Sequence, residues 1–385
     1  MTTASPLTAA VVGCGVIGRH HARVLVGHPG FRVTAAVDAV LPAATALADE
    51  VAASTGERPV VSETLDKALD QADVDVVVVC SPSGLHVELA ETALARGRHV
   101  VIEKPLDVSI ASARRIADLA SDARAQGLCV TVISQHRFDP ANRVVAQAAH
   151  DGRFGRVSSG LASVAWWRSQ GYYDSGDWRG TWALDGGGAV MNQGVHTVDL
   201  LVWMLGRPVE VSAQTGLLAH ERIEVEDVAV ATVRFESGAL AVVHATTAAY
   251  PGLTTRIQVH GDAGSGVVTD DRLEYFHVAA PGAGTGLQEA LDTANQAEGL
   301  VEADQLVGGP PEEQHFLRGH ARQYDDILRA IRTGEAPGVT VDDALLSLAT
   351  VKAIYVSATL GRPVAVDDVL TGVLDDQDVT VGVRS

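Results

Sequence analysis

The stretch TAAVVGCGVIGRHHARVL, residues 8–25, decides the fold. Its opening residues are small and β-favouring; Gly13, Gly15 and Gly18 follow in the spacing G-x-G-x-x-G, and apolar residues then recur at helical spacing. A strand that turns through such glycines into a helix begins a β-α-β unit. The glycines permit a tight turn, close approach of backbone to a pyrophosphate and close helix packing. The helix N-terminus adds partial positive charge, which makes Gly13, Gly15, Val16, Ile17 and Gly18 candidate dinucleotide-binding residues. The pattern is weak alone, but a second strand, FRVTAAVD, ends at Asp38, where a carboxylate can accept hydrogen bonds from an adenosine ribose. A carboxylate there repels a 2′-phosphate, and Ala39 and Val40 offer no arginine to hold one, so NAD is expected and NADP is disfavoured.

Working outward, VDVVVVC, RHVVIE and LCVTVIS continue as strands between helical stretches as far as about Gln135, the signature of a doubly wound parallel sheet. Ligands bind beyond the carboxyl ends of such strands, which adds Ser81 and His86 after one strand and Glu103 and Lys104 after the next as cofactor candidates. His86 either touches ligand or caps its own helix. Lys104 stands out because, of 29 basic residues, only Lys67, Lys104 and Lys352 are lysine. Arginine keeps its proton near neutral pH, whereas a partly desolvated lysine gives it up, so Lys104 is a candidate proton acceptor; an ordinary surface charge is the alternative.

After Pro140 the texture changes to long alternating runs such as DVAVATVRFESGALAVVHATT, which predict an α+β domain with a large, mostly antiparallel open sheet. The expected domains are 1–137 and 138–385, with the C-terminal helices free to pack back on the first. Residues 279–313 have little periodicity and read as a long loop. The segment DGGGAVMNQGVHTVDLLVWMLG predicts a mostly buried helix from Ala189 to Leu205 with Asn192, His196, Asp199 and Trp203 on one face. Since an unpaired buried polar group costs about 1 to 3 kcal/mol, this stripe is either internally satisfied or a functional face. Gly186, Gly187 and Gly188 before it would let a ligand approach the backbone, which favours the functional face for Asn192 and His196, with Asp199 orienting a neighbour. Residues 171–182 are dense in aromatics for a chain that is only 4% aromatic. Trp178 and Arg179 there suit a carbohydrate ring; a loop packing its own aromatics is the alternative.

The totals narrow the class. A chain of 385 residues favours two domains. A net charge of −19 argues against nucleic acid and anionic membrane as partners. No uninterrupted apolar run approaches the ~20 residues that span a bilayer, and MTTASPLTAA lacks the pattern of a secretory signal, so a cytoplasmic location is expected. Cys14, Cys80 and Cys129 are scattered, as in a reducing compartment. No H-E-x-x-H occurs, and adjacent His20 and His21 cannot share a helix face, so no metal is expected.

With these residues assembled, the chain resembles the Gfo/Idh/MocA oxidoreductases, the glucose-fructose oxidoreductase and inositol dehydrogenase family. The resemblance rests on GCGVIG, Asp38, the EKP of 103–105, the GGG-x-x-x-N-Q-G-x-H of 186–196, and ALLSLATVKAIYVSATLGRPV near the C-terminus. It implies NAD-dependent oxidation of a secondary hydroxyl of a sugar or cyclitol, with Lys104 and His196 flanking the reacting carbon. Many members carry aspartate four residues before that histidine; Asn192 stands there and cannot act as a base. Proton transfer then falls to Lys104 or His196, with Asn192 orienting the hydroxyl and Gln135, Arg137, Trp178 and Arg179 contacting substrate. SQHRF, WRGTW and MNQGVH look most similar to the branch containing sugar-nucleotide 3-dehydrogenases, which is also similar to dehydrogenases of free and anhydro sugars. The resemblance further implies a homodimer or homotetramer formed through the C-terminal sheet. A non-catalytic, NAD-responsive regulator on the same fold is the competing reading.

Overall fold

The computed structural model describes residues 5–280, 293–310 and 315–383. The chain divides into two compact units, Met1–Gln135 with Gln314–Leu345, and His136–Glu313 with Leu346–Ser385.

In the first unit the strands are β1 (Leu7–Val12), β2 (Phe31–Val37), β3 (Val60–Ser62), β4 (Val76–Val79), β5 (His99–Ile102) and β6 (Val130–Val132). Helices α1 (Val16–Gly27), α2 (Leu41–Thr55), α3 (Leu65–Gln71), α4 (His86–Ala95) and α5 (Ile110–Ala125) connect them. The order is β3-β2-β1-β4-β5-β6, all parallel, so the chain reverses direction across the sheet beside β1. That is where a doubly wound sheet opens a ligand crevice. All four residues of β4 are buried, as expected for a strand covered on both faces. The three-residue β3 is too short to show a period, and the sequence reading does not include it.

The second unit begins with α6 (Pro140–His150) and β7 (Val157–Ala165), then the short α7 (Gln170–Tyr173) and α8 (Val195–Leu205). The remaining strands are β8 (Pro208–Leu217), β9 (Val228–Phe235), β10 (Leu240–Thr246), β11 (Thr255–Gly261), β12 (Gly264–Thr269) and β13 (Arg272–Val278). The chain then passes through α9 (His315–Thr333), in the first unit, and α10 (Val341–Leu360), within which the unit boundary falls. It ends with β14 (Val364–Ala365), α11 (Val366–Leu370) and β15 (Gly382–Val383). The sheet runs β13-β12-β11-β7-β10-β9-β8-β14, with β15 beside β8. It is mixed but mostly antiparallel: among the described residues only β7 with β10 and β8 with β15 are parallel strand pairs. Alternation is clean in β9, where every second residue is buried. Helix α8 covers the inner face; a Cβ at Gly160 of β7 would meet Leu201 at 2.9 Å and Leu205 at 3.0 Å.

The segment Gln314–Leu345 clusters with the first unit, where Tyr324 and Ile327 of α9 join the core built on β1, α1 and α2. Part of the segment read as a loop, 281–292 and 311–313, lies outside the described residues, but 293–310 is tied to β13. Asn295 and Gln296 accept N–H bonds from Phe276 and Val278, and Gln305 is buried. Finally, the helix read from Ala189 is not uniform. Val190–Gly194 forms a π-turn and the α-helix starts at Val195. By length and composition α10 could cross a bilayer, yet more than half of it is buried inside the protein.

Candidate active site

In the first unit, α1 starts at Gly15 with no side-chain cap and no acid in its first turn. Its first N–H groups are therefore left for a ligand. Only glycine fits at two positions of this turn: a Cβ on Gly18 would lie 1.8 Å from the Gly13 carbonyl oxygen, and one on Gly13, at φ +94°, would strike Cys80 and Ser81. Gly15 faces open space and Val16 is 91% exposed, while Ile17 is half-buried. Asp38 accepts the Cys14 N–H at 2.7 Å and the Val40 N–H at 2.8 Å, so its carboxylate is fixed beside the glycine turn. An uncapped helix start, a turn closed to a Cβ at Gly13 and Gly18 and a fixed acid at the next strand end fit a dinucleotide. Gly13, Gly15, Val16, Ile17, Gly18 and Asp38 would hold it, with Ser81 at the end of β4.

The other strand-end candidates behave differently. His86 is buried and its ring spans the carbonyls of Ser81 and Leu106 at 3.1 and 3.2 Å. Burial holds its pKa down despite those carbonyls. It therefore braces two loops. Glu103 is likewise internal. One carboxylate oxygen accepts from His21 Nε2 at 2.7 Å and the other accepts the Lys104 N–H at 2.8 Å. His21 in turn meets the Tyr324 hydroxyl at 2.8 Å, and His320 lies 3.8 Å from the same Glu103 oxygen. Burial opposes charge on Glu103, but His21 and His320 outweigh it and hold the carboxyl well below its usual range. Adjacent His20 and His21, expected to diverge, both lie against His320, with ring centroids 4.4 and 5.1 Å away. The outcome is an anchored carboxylate beneath the Lys104 backbone, and Lys104 itself is half-buried at the strand end.

In the second unit, Asn192 and His196 are half-buried on an otherwise buried segment. The Asn192 amide donates to Asp185 at 2.7 Å, and Asp185 also accepts the Gly180 N–H at 2.8 Å. The ring of His196 stands edge-on to His136, centroids 4.9 Å apart. His136 Nδ1 lies 3.0 Å from Asp271 and 3.3 Å from Asp139. Burial works against its charge, yet those two carboxylates push its pKa up to about 10, so it is an imidazolium at neutral pH. Sequence alone marks none of His136, Asp139, Asp271 and Asp185 as a site residue, although His136 lies within SQHRF and Asp185 opens the stretch DGGGAVMNQGVH.

Arg137 is buried and forks onto Asp199 through bonds of 2.7 and 2.6 Å, while Ser347 donates to the same carboxylate. It locks α8 in place. The space beside Gly187 and Gly188 is filled by protein. A Cβ on Gly188 would lie 1.8 Å from the Glu226 carbonyl oxygen, and one on Gly187 2.3 Å from the Tyr355 hydroxyl. The Glu226 side chain accepts the N–H groups of Gly188 and Val190 and the Tyr355 hydroxyl, which supports the π-turn. Burial pushes that carboxyl up to about 7 against its three donors. Gln135 is buried, whereas Trp178 is exposed and Arg179 half-buried.

Comparisons agree with this arrangement. Residues 7–133 match a family described as an oxidoreductase family with an NAD-binding Rossmann fold, and 142–267 match the GFO/IDH/MocA C-terminal domain. The chain belongs to the GFO/IDH/MocA oxidoreductase family. A solved structure similar to it is the WlbA dehydrogenase from Bordetella pertussis in complex with NADH and UDP-GlcNAcA, at 32% identity over 95% of this chain and 99% of that one, with a TM-score of 0.78. Inositol 2-dehydrogenase of Rhizobium meliloti (strain 1021) is 26% identical over 92% of this chain and 98% of its own length. D-xylose 1-dehydrogenase (NADP(+)) 2 of Haloferax volcanii is 26% identical over 84% and 89%. The protein is thus an NAD(P)-dependent oxidoreductase of a family acting on CH–OH groups.

Proposed function

We propose that this chain oxidises a secondary hydroxyl of a sugar, sugar derivative or cyclitol to a ketone, or runs the reverse, with NAD preferred to NADP. The observation that carries this reading is the placement of Lys104 after β5, on the sheet edge that also holds the glycine turn after β1 and Asp38 after β2. NAD, when bound, supplies nicotinamide C4 as the hydride acceptor. Lys104 takes the hydroxyl proton, and Glu103, fixed by His21, holds the Lys104 N–H and so the direction of that side chain. Asn192, bonded to Asp185, orients the hydroxyl without exchanging a proton with it. His196 binds the same part of the substrate, and Gln135, Trp178 and Arg179 are further substrate contacts.

The preference for NAD rests on the Asp38 carboxylate, which would repel a 2′-phosphate. The protein works in the cytoplasm as a homodimer or homotetramer formed through the open face of the second sheet. The deciding measurement is Lys104→Ala. It should bind NAD as the parent does in a fluorescence titration yet lose about 10²- to 10⁴-fold in turnover, the usual contribution of a positioned acid-base group. Unchanged turnover with a sugar or cyclitol substrate would remove Lys104 as the base.

A further inference from the structure

We infer that Arg168 and Arg179 form a docking site for an anionic group of the substrate, the carboxylate or phosphate of an acidic sugar, so that the preferred substrate is not a neutral polyol. The inference rests on the dehydrogenase reading and deepens it. Both guanidiniums lie against the ring of Tyr172, Arg168 at 5.1 Å and Arg179 at 4.4 Å from its centroid. Each also stacks on a tryptophan: Arg168 on Trp166 at 5.1 Å and Arg179 on Trp178 at 4.3 Å. Among the described residues neither has a carboxylate within ion-pair distance, although the chain carries 48 acids against 29 bases. Arg168 Nε is buried and bonds to nothing, and the one hydrogen bond from the Arg179 side chain goes to the Tyr172 hydroxyl at 2.9 Å.

Two cations on one ring repel each other, and stacking leaves most of a guanidinium's five N–H donors unused. The nearby acids do not relieve this. Asp174 pairs with Arg222, Asp185 holds Gly180 and Asn192, and Glu224 accepts the Trp182 N–H. The backbone meanwhile fixes the pair in place. Arg168 donates its N–H to Thr247 and accepts a bond from His220, while Gly180, next to Arg179, is held by the same Asp185 that holds Asn192. A fork of fixed, unneutralised donors beside flat aromatic faces is the chemistry that recognises a carboxylate or phosphate on a sugar.

The test is calorimetric titration of the NAD-loaded protein with D-glucuronate, D-glucose 6-phosphate, uridine diphosphate and D-glucose, alongside NAD reduction with each sugar. At least one anion should bind at least tenfold more tightly than D-glucose, the equivalent of about one hydrogen bond to a charged group, and its affinity should fall as potassium chloride is raised. Glucuronate alone would assign a carboxylate; the phosphate or the diphosphate would assign a phosphoryl group. Arg168→Gln and Arg179→Gln, made separately, should each lower the anion-over-glucose ratio about tenfold or more. Equal binding of anions and D-glucose by the parent, or a ratio unmoved in the folded variants, overturns the proposal. If one variant fails to fold, the other and the salt titration of the parent still decide. Anion binding without turnover of any sugar would instead count against the dehydrogenase reading alone.

Discussion

At the scale of single residues, charge is placed by neighbours and not by residue type. His136 and His21 are both histidines in polar surroundings, yet His136 is pushed up to about 10 by Asp271 and Asp139, while burial pulls His21 down beside Glu103. For His136 the folded value exceeds the unfolded value of about 6.5. Its contribution to stability is therefore complete below about pH 6.5 and is lost as pH rises through about 10. Urea unfolding at intervals from pH 6.5 to 10 should show the parent losing stability across that window, and His136→Asn should flatten that part of the curve. A parallel curve for the variant would mean that His136 is not charged in the folded state. The carboxylate that does much of this work comes from Asp271, one of two adjacent aspartates with positive φ, 47° and 59°, where glycine is the usual residue. The turn is held because Asp270 accepts from the Thr255 N–H and hydroxyl while Asp271 meets His136 and Asn142.

At the scale of elements, the helix that carries Asn192 and His196 shows why periodicity misleads near a functional segment. An α-helical period puts Asn192 and His196 on one face, but the π-turn at Val190–Gly194 adds a residue to that turn and changes their relation. Glu226 and Tyr355 sustain the turn from outside the segment. Gly188→Ala would press a Cβ against the Glu226 carbonyl and should cost about 1 to 3 kcal/mol in chemical unfolding, the range for overpacking a tight interior. Activity should fall with it as Asn192 is displaced; a variant of unchanged stability would show that the turn has slack. Neither Glu226 nor Tyr355 is legible from local sequence, because each acts on residues far along the chain.

At the scale of the whole molecule, a net charge of −19 keeps copies apart unless an apolar surface overrides it. Val230, Leu240 and Val242 are 50%, 58% and 40% exposed on β9 and β10. They lie on the face of the second sheet opposite α8. For the homo-oligomer proposed above, Val242→Glu should lower the molar mass measured by sedimentation equilibrium towards that of one chain; a parent that already has the mass of one chain, or a variant of unchanged mass, would remove this face as the interface. Residues 8–38 were enough to establish a parallel sheet and a dinucleotide turn, because the tight turn, the helix start and the acid are all set by neighbours close in sequence. Alternation likewise announced most strands of the second sheet, since burial of one face imposes a period of two. Only the tertiary structure could pair His86 with two loop carbonyls and Arg137 with Asp199, fill the space beside Gly188 with Glu226, and bring His320 to Glu103. Those outcomes depend on which buried polar groups satisfy one another across long stretches of chain, and local sequence carries no record of that pairing.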